Sequence, residues 1–451
     1  MKKHFYLFLF VSAFCTLFHP QAQGQPYYNF VVGGISLTQS SSIIRPIDPY
    51  RAIAYYERTG GLPAVLALVD LNNPVIVHHA ELIQEYFVKD IRVVGSDVFF
   101  CGWNKRTSSG MLGHLNINDL TNMSPIVSYV ELKVGPQTIM WRLAAYDDGT
   151  GTTRVVSLGN TRYVDSNAPL FPVCPPLSIC QASFVTEYIW AGAFTCVGSK
   201  TVGDLNYFER ADDVVVTDNW LAVVTSIPNR DEIAIHRCAK NNVIGTFDNY
   251  TSFKVPYQEG VNHCCHMKGD TIADATLYSS NGGAPYESHL RVFDLNTMRM
   301  TRAQQFGLLD KAEPLEVVYM PEYATLVSLQ DMRYPSGAYH HTFVQWRPYD
   351  AIPYLAKLMY EQNFDTYYWL DKLTAKHIIA AGGEYWLMKD ISYDAPTTTC
   401  YTMANQVVEY LELSAPSNNF YPYTSITIND SPASNSSYRQ FFMNNPLCTT
   451  P

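Results

Sequence analysis

The densest run of residues able to do chemistry is His263-Cys264-Cys265-His266. Imidazole and thiolate are ligand types that zinc takes in tetrahedral sets. His263 and His266 have a workable spacing for one ion and are the candidate metal ligands. The adjacent cysteines do not, unless only one ligates. A disulfide is the plainer use of Cys264 or Cys265 if the chain works in an oxidising compartment. Two histidine doublets, His78-His79 and His340-His341, read differently. Neighbours on a strand point to opposite faces, so a doublet offers one imidazole per face and not a chelating pair.

Carboxylate pairs are the next candidates, because two carboxyl groups flanking a bond can hydrolyse a glycoside. Asp147-Asp148 precedes Gly149-Thr150-Gly151-Thr152, and Asp212-Asp213 follows Glu209. The first pair reads as a hairpin turn, since Asp-Gly between strands is a strong turn signal. A calcium loop would need a repeated acidic spacing that this segment lacks. The second pair reads as a connection between structural units. An enzyme built here would draw on Asp97, Asp147, Asp213, Glu232 and His236, provided they converge. The sequence holds no Gly-x-Ser-x-Gly nucleophile elbow and no phosphate-binding glycine loop. No complete catalytic constellation is present, and no cofactor is called for.

Aromatic side chains bind sugars by stacking and anchor protein partners. Most of the seven tryptophans lie in apolar, strand-like segments and read as core. Tyr367-Tyr368-Trp369, Tyr421 and Tyr423 have polar neighbours and are the candidate binding residues.

The elements that must position these groups read as strands. Three apolar stretches end alike: Ala64–Val69 runs into Asp70-Leu71-Asn72-Asn73, Leu112–Ile117 into Asn118-Asp119-Leu120, and Leu290–Phe293 into Asp294-Leu295-Asn296. Asp and Asn favour such turns by bonding their own backbone two residues on. Further strands are expected at 53–58, 97–103, 141–146, 154–158, 188–195, 214–225, 232–238, 271–278, 325–329, 342–346, 377–389 and 406–413. Helical turns are expected only at 308–315 and 351–360. A strand of the first kind recurs roughly every 45–55 residues, a length that suits a four-stranded blade. The pattern resembles a degenerate β-propeller, without the Gly-His and Trp-Asp signature or the double glycine of two well-known propeller families. The resemblance implies an all-β fold of about seven blades. Tandem β-sandwich domains are the alternative.

Both ends of the chain differ from this middle. Met1-Lys2-Lys3 and the apolar Tyr6–Phe18 read as a secretory signal, with small residues at Ala22 and Gly24 placing cleavage after Gly24 or two residues earlier. The expected division is a signal peptide at 1–24, a propeller-like domain at 25–413 and a Ser/Asn/Pro-rich tail at 414–451. No later stretch is long and apolar enough to span a bilayer as a helix. Charged residues make up only 16% of the chain and the net charge is −10. Sparse, unclustered cations argue against nucleic acid and against docking on an anionic membrane. A surface rich in Ser, Thr, Asn and Tyr suits a neutral partner, a glycan or another protein. Ten cysteines become nine after signal removal, an odd number. Cys174 and Cys180 flank a short loop stiffened by two prolines and are the best local disulfide pair. The expected function is an exported binding or scaffold protein. The alternatives are a secreted propeller glycoside hydrolase or lyase, and a structural component of a cell-surface assembly.

Overall fold

The computed structural model describes residues 43–56, 63–70, 76–83, 85–120, 127–133, 137–163, 180–202, 210–227, 232–244, 249–254, 259–279, 286–306, 311–320, 325–333, 339–346, 357–361, 372–381, 384–392, 405–411, 423–425, 442–443 and 448–449. Strands follow one another as antiparallel meanders in seven sheets. Blade 1 holds β1 (Ile43–Asp48), β2 (Arg51–Tyr56), β3 (Val65–Asp70) and β4 (Ile76–Glu81). Blade 2 holds β5 (Tyr86–Val94), β6 (Asp97–Asn104), β7 (Ser109–Asn116) and β8 (Val127–Leu132), with a single helical turn, α1 (Ile117–Leu120), after β7. Blade 3 holds β9 (Gln137–Asp147), β10 (Thr153–Tyr163), β11 (Cys180–Trp190) and β12 (Phe194–Val202). Blade 4 holds β13 (Arg210–Val216), β14 (Trp220–Ile227), β15 (Glu232–Ala239) and β16 (Asn249–Lys254). Blade 5 holds β17 (Glu259–His266), β18 (Thr271–Ser279), β19 (Tyr286–Asp294) and β20 (Arg299–Phe306). Blade 6 holds β21 (Lys311–Met320), β22 (Thr325–Arg333), β23 (Tyr339–Trp346) and β24 (Lys357–Glu361). Blade 7 holds β25 (Lys372–Ala381), β26 (Glu384–Ser392) and β27 (Asn405–Leu411).

The first strand of each blade packs beside the first strand of the next, and β25 packs beside β1. The first strands are therefore innermost, and the order of the sheets is that of a seven-bladed β-propeller. Packing, not a shared strand, brings blade 7 back to blade 1.

The sheets of blades 2 and 4 are covered on both faces, so their second strands read as nearly continuous apolar runs. Phe99 and Phe100 on β6 are neighbours and both buried. Phe100 packs with Ile53 and Leu66 of blade 1, whereas Phe99 packs with Met140 and Phe184 of blade 3. The same division recurs farther round, where Leu221 and Val223 face blade 3 and Ala222 and Val224 face blade 5. Period-2 alternation here sorts apolar side chains between two cores, so the amphipathic pattern of a half-exposed strand is absent.

The shared Asp/Asn endings fall where the resemblance puts them. They close β3, β7 and β19, the third strands of blades 1, 2 and 5. Asp294 Oδ1 accepts the Asn296 amide at 2.8 Å, and Asn116 Oδ1 accepts the Asn118 amide at 2.9 Å. The 147–152 segment is a turn between β9 and β10, with Gly149 and Gly151 both at φ 82°.

Four local expectations are corrected. Of the segment expected as a helical turn at 308–315, residues 311–315 belong instead to β21, where Pro314 stands beside a register shift on an inner edge strand. Proline lacks the N–H that a central strand must donate, and edge strands and bulges tolerate it. The second helical segment likewise ends in a strand, β24. The single strands expected at 188–195, 214–225 and 377–389 are each two strands joined by a turn. Asp212-Asp213 is no connection between blades, because both residues lie inside β13 and are buried.

Three short strands from the tail complete the sheets. β28 (Tyr423–Ser425) pairs with β20, β29 (Phe442–Met443) with β12, and β30 (Cys448–Thr449) with β8. Each adds a fifth, outermost strand to its blade. No helix among the described residues is long and apolar enough to cross a membrane.

Candidate functional site

Every inner strand is irregular at one place. The pairing of the first strand with the second shifts register once in each of the seven blades. Such a bulge sets two residues against one, bends the strand and re-aims side chains. The first residue back in register is Asp48, Asp90, Arg142, Asp213, His263, Glu316 and His377 in blades 1 to 7. All seven are of ionisable type.

Two of these residues join blades in the same way. Asp90 Oδ1 accepts the Ile91 amide at 2.9 Å, and its Oδ2 accepts the Leu143 amide of blade 3 at 3.0 Å. Asp213 Oδ1 accepts the Val214 amide at 2.8 Å, and its Oδ2 accepts the Cys264 amide of blade 5 at 2.8 Å. A bulge frees backbone N–H groups from the ladder, and the carboxylates satisfy them across the blade boundary.

Arginines gather on the same strands. Arg45 of β1 and Arg92 of β5 reach Asp90 Oδ1 at 3.1 and 2.9 Å. Arg142 of β9 has its Nε 3.8 Å from Asp213 Oδ1. Burial pushes Asp90 upward, but Arg92, Arg45 and Arg142 outweigh it and hold the carboxyl below its ordinary value. For Asp213 burial wins over Arg142 and Arg92, and nearby Asp90 adds to the rise, so its pKa stands at about 6. The bulged residues themselves are Lys89 and Trp141, and the Lys89 ammonium lies 5.5 Å from the centre of the Trp141 ring.

A second buried charge lies beside this group. Cys264 Sγ is 3.5 Å from Asp274 Oδ1, and Arg291 Nε donates to Asp274 Oδ2 at 2.9 Å. Cys101 and Cys264 are thiols, and burial is the main cause that pushes both well above their ordinary value. Both thiols therefore stay protonated near neutral pH. Cys264 forms no disulfide in the structure, against the expectation for Cys264-Cys265.

His263 and His266 lie three apart on β17, a spacing that sends strand side chains to opposite faces. His266 is exposed and its Nε2 bonds the Gly269 carbonyl at 2.8 Å in the turn that follows. The described residues contain no group of three or more His, Cys, Asp and Glu arranged to hold a metal. The doublet on β4 puts His78 half-buried and His79 exposed, one per face.

The five residues proposed for an enzyme lie apart in their contacts. Asp97 bonds His114 Nε2 at 2.7 Å, and Asp147 Oδ1 caps the Gly149 amide at 2.8 Å. His236 Nε2 is 3.2 Å from the Thr225 hydroxyl inside blade 4. Asp97 starts β6 at one end of its blade, and Glu232 starts β15 at the opposite end of another. Tyr367, Tyr368, Trp369, Tyr421 and Cys174 lie outside the described residues; Tyr423 begins β28 and Cys180 begins β11.

Sequence reading had missed Arg45, Asp90, Arg92 and Arg142. The available signal is a charge inside an apolar strand, as in Asp90-Ile91-Arg92, which a buried strand keeps only where the charge is paired.

No family model matches this chain, and no curated protein matches it. Among solved structures it is similar to hydrazine synthase of Kuenenia stuttgartiensis, at 10% identity and TM-score 0.42, covering 70% of this chain and 80% of that one. It is similar to BamB of Moraxella catarrhalis, at 10% identity and TM-score 0.41, covering 83% and 99%. It is also similar to the β-propeller domain of the trilobed protease of Pyrococcus furiosus, at 10% identity and TM-score 0.38, covering 70% and 83%.

Proposed function

We propose that this chain is an exported propeller scaffold that binds a glycan or a surface protein and does not turn it over. The observation that carries the reading is the use made of the central carboxylates. In Asp90 and Asp213 one carboxylate oxygen accepts the amide of the following residue on the same strand, and the other accepts an amide of the next blade and fixes the two blades together. A carboxylate clamped in this way is a structural tie. A general acid or base must stay within reach of a substrate proton. The cationic, then apolar, start of the chain and its polar, weakly charged composition support export.

One observation favours the enzyme reading. Asp213 holds its proton to about pH 6, and perturbed carboxyls mark catalytic acids as well as buried ties. Both readings are tested together by incubating the secreted protein with purified polysaccharides, following retention on affinity gels and release of reducing ends. Retention without release supports the scaffold. Release that is abolished by Asp213→Asn overturns it in favour of a hydrolase.

A further inference from the structure

We infer that Cys196 forms its disulfide with Cys448, and that this bond is a reducible clasp holding the end of the tail across the outer edges of blades 2 and 3. The inference is independent of any ligand and needs only the oxidising compartment that export would supply.

Cys196 is disulfide-bonded. Cys101, Cys238, Cys264 and Cys265 are thiols, and Cys15 falls in the expected signal peptide. The partner is therefore Cys174, Cys180, Cys400 or Cys448. Distance disfavours three of them. Cys196 stands opposite Tyr188 of β11, whereas Cys180 begins that strand, eight residues away. That separation is ~26 Å at ~3.3 Å per residue, and a disulfide needs Cα atoms within ~7 Å. Cys174, six residues before Cys180, would reach Cys196 only with the chain drawn out almost straight back along the blade. Cys400 lies five residues before β27 of blade 7, three blades round the ring from blade 3.

Cys448 stands where the bond needs it. Met443 pairs with Ser199, and the antiparallel sense of that pairing directs the tail from there toward Cys196. Five residues on, β30 sets Cys448 opposite Leu132 of β8. Residues directly opposite share one face of a sheet. Leu132 belongs to the core between blades 2 and 3, and Cys196 packs against that same core from blade 3. The two positions thus stand on facing surfaces of neighbouring outer edges. The pairing also leaves Cys174 and Cys180 for each other.

Forming the bond takes two protons and two electrons from the two thiols. A small disulfide such as oxidised glutathione accepts them and leaves as two thiols, and reduction runs the exchange backward. β29 and β30 are two residues each, with two paired positions apiece. So short a pairing holds weakly without a covalent link. Reduction therefore frees the end of the tail and uncovers β8 and β12.

The test is peptide mapping of the full secreted chain, blocked with iodoacetamide and kept unreduced. Cleavage after Lys, Arg and Glu leaves Cys196 in residues 188–200 and Cys448 in residues 440–451. The two should run as one linked species that a reductant splits. Cys448→Ser should open the Cys196 thiol to alkylation, whereas Cys174→Ser should not. Reduction, or Cys448→Ser, should speed tryptic cleavage of the native chain after Arg439 at least ~10-fold. A chain kept in the cytoplasm and then treated with oxidised glutathione should form the same link, so loss of export and loss of this pairing are read apart. Linkage of 188–200 to Cys174 or Cys400 overturns the pairing. Equal cleavage rates with and without the bond overturn the clasp.

Discussion

Asp90 and Asp213 make the same pair of amide bonds, yet their acidities move in opposite directions. Three guanidinium groups act on Asp90, whereas Asp213 is deeply buried with weaker help and a like charge nearby. The consequence for stability follows from where protons sit. Asp213 titrates near 6 when folded and near ~3.9 when unfolded, so between those values the folded state binds more protons. Its contribution therefore falls as pH rises through that window. His289 does the reverse. Burial, with Arg291 beside it, lowers its pKa to about 3 against ~6.5 unfolded, and its contribution rises with pH over that range. The two oppose each other between about pH 4 and 6. Removing Asp213 alone should expose the histidine. We expect the urea midpoint of Asp213→Asn to climb more steeply from pH 4 to 6 than that of the parent, whatever the constant cost of the amide bond that asparagine cannot accept. Parallel curves would mean that Asp213 is ionised throughout.

At the scale of the element, the bulged inner strand is the recurrent unit, and it requires particular residues opposite it. Gly102 faces Val88, one residue before the Lys89 bulge. A Cβ on Gly102 would lie 1.7 Å from the Phe87 carbonyl oxygen and 3.0 Å from Val88 Cα, both backbone atoms that cannot swing away. Gly102→Ala should therefore cost about 3 kcal/mol, read as a lower urea midpoint at unchanged slope. Gly95, at φ 59° in open space, is the control, and its alanine variant should cost only ~1–2 kcal/mol of backbone strain. Equal losses would show that the bulge yields.

This unit also marks where the sequence could be read and where it could not. The third strands were legible because Asn116 and Asp294 end β7 and β19 with side chains that build their own turns, and Asp70 ends β3 at the same place. The first strands were not, since a register shift breaks alternation and a charge interrupts the apolar run. The turn between β13 and β14 was hidden for another reason. Thr217 and Asn219 are held by Asp270 of blade 5, at 2.9 Å to the hydroxyl and 2.8 Å to the amide nitrogen. A partner fifty residues away leaves no local signal, and so 214–225 reads as one strand. The inner arginines were illegible in the same way, as their meaning lies in a carboxylate on another blade.

The whole molecule adds one constraint that no single blade shows. Outer strands β8, β12 and β20 each carry a tail strand, whereas β4 and β16 carry none among the described residues. For two of the three covered edges the difference follows composition, whereas β20, with Arg299, Arg302, Gln304 and Gln305, is a polar edge that is covered as well. β8 reads Val-Ser-Tyr-Val-Glu-Leu and β12 begins Phe-Thr-Cys-Val, apolar edges with unpaired backbone groups that would template another strand. β4 carries His78, His79 and Glu81, and β16 carries Asn249, Thr251, Ser252 and Lys254, polar side chains that discourage such pairing. The tail, polar in composition, thus covers the two apolar edges of β8 and β12. A chain ending at Leu413 should keep its seven sheets, because every four-stranded blade core lies upstream. It should nevertheless sediment as larger, concentration-dependent species, while the full chain does not. Adding back a peptide spanning residues 414–451 should reverse the effect by restoring the missing pairs. If the truncated and full chains sediment alike at all concentrations, the tail strands do not guard these edges, and the polar surface alone keeps copies of the molecule apart.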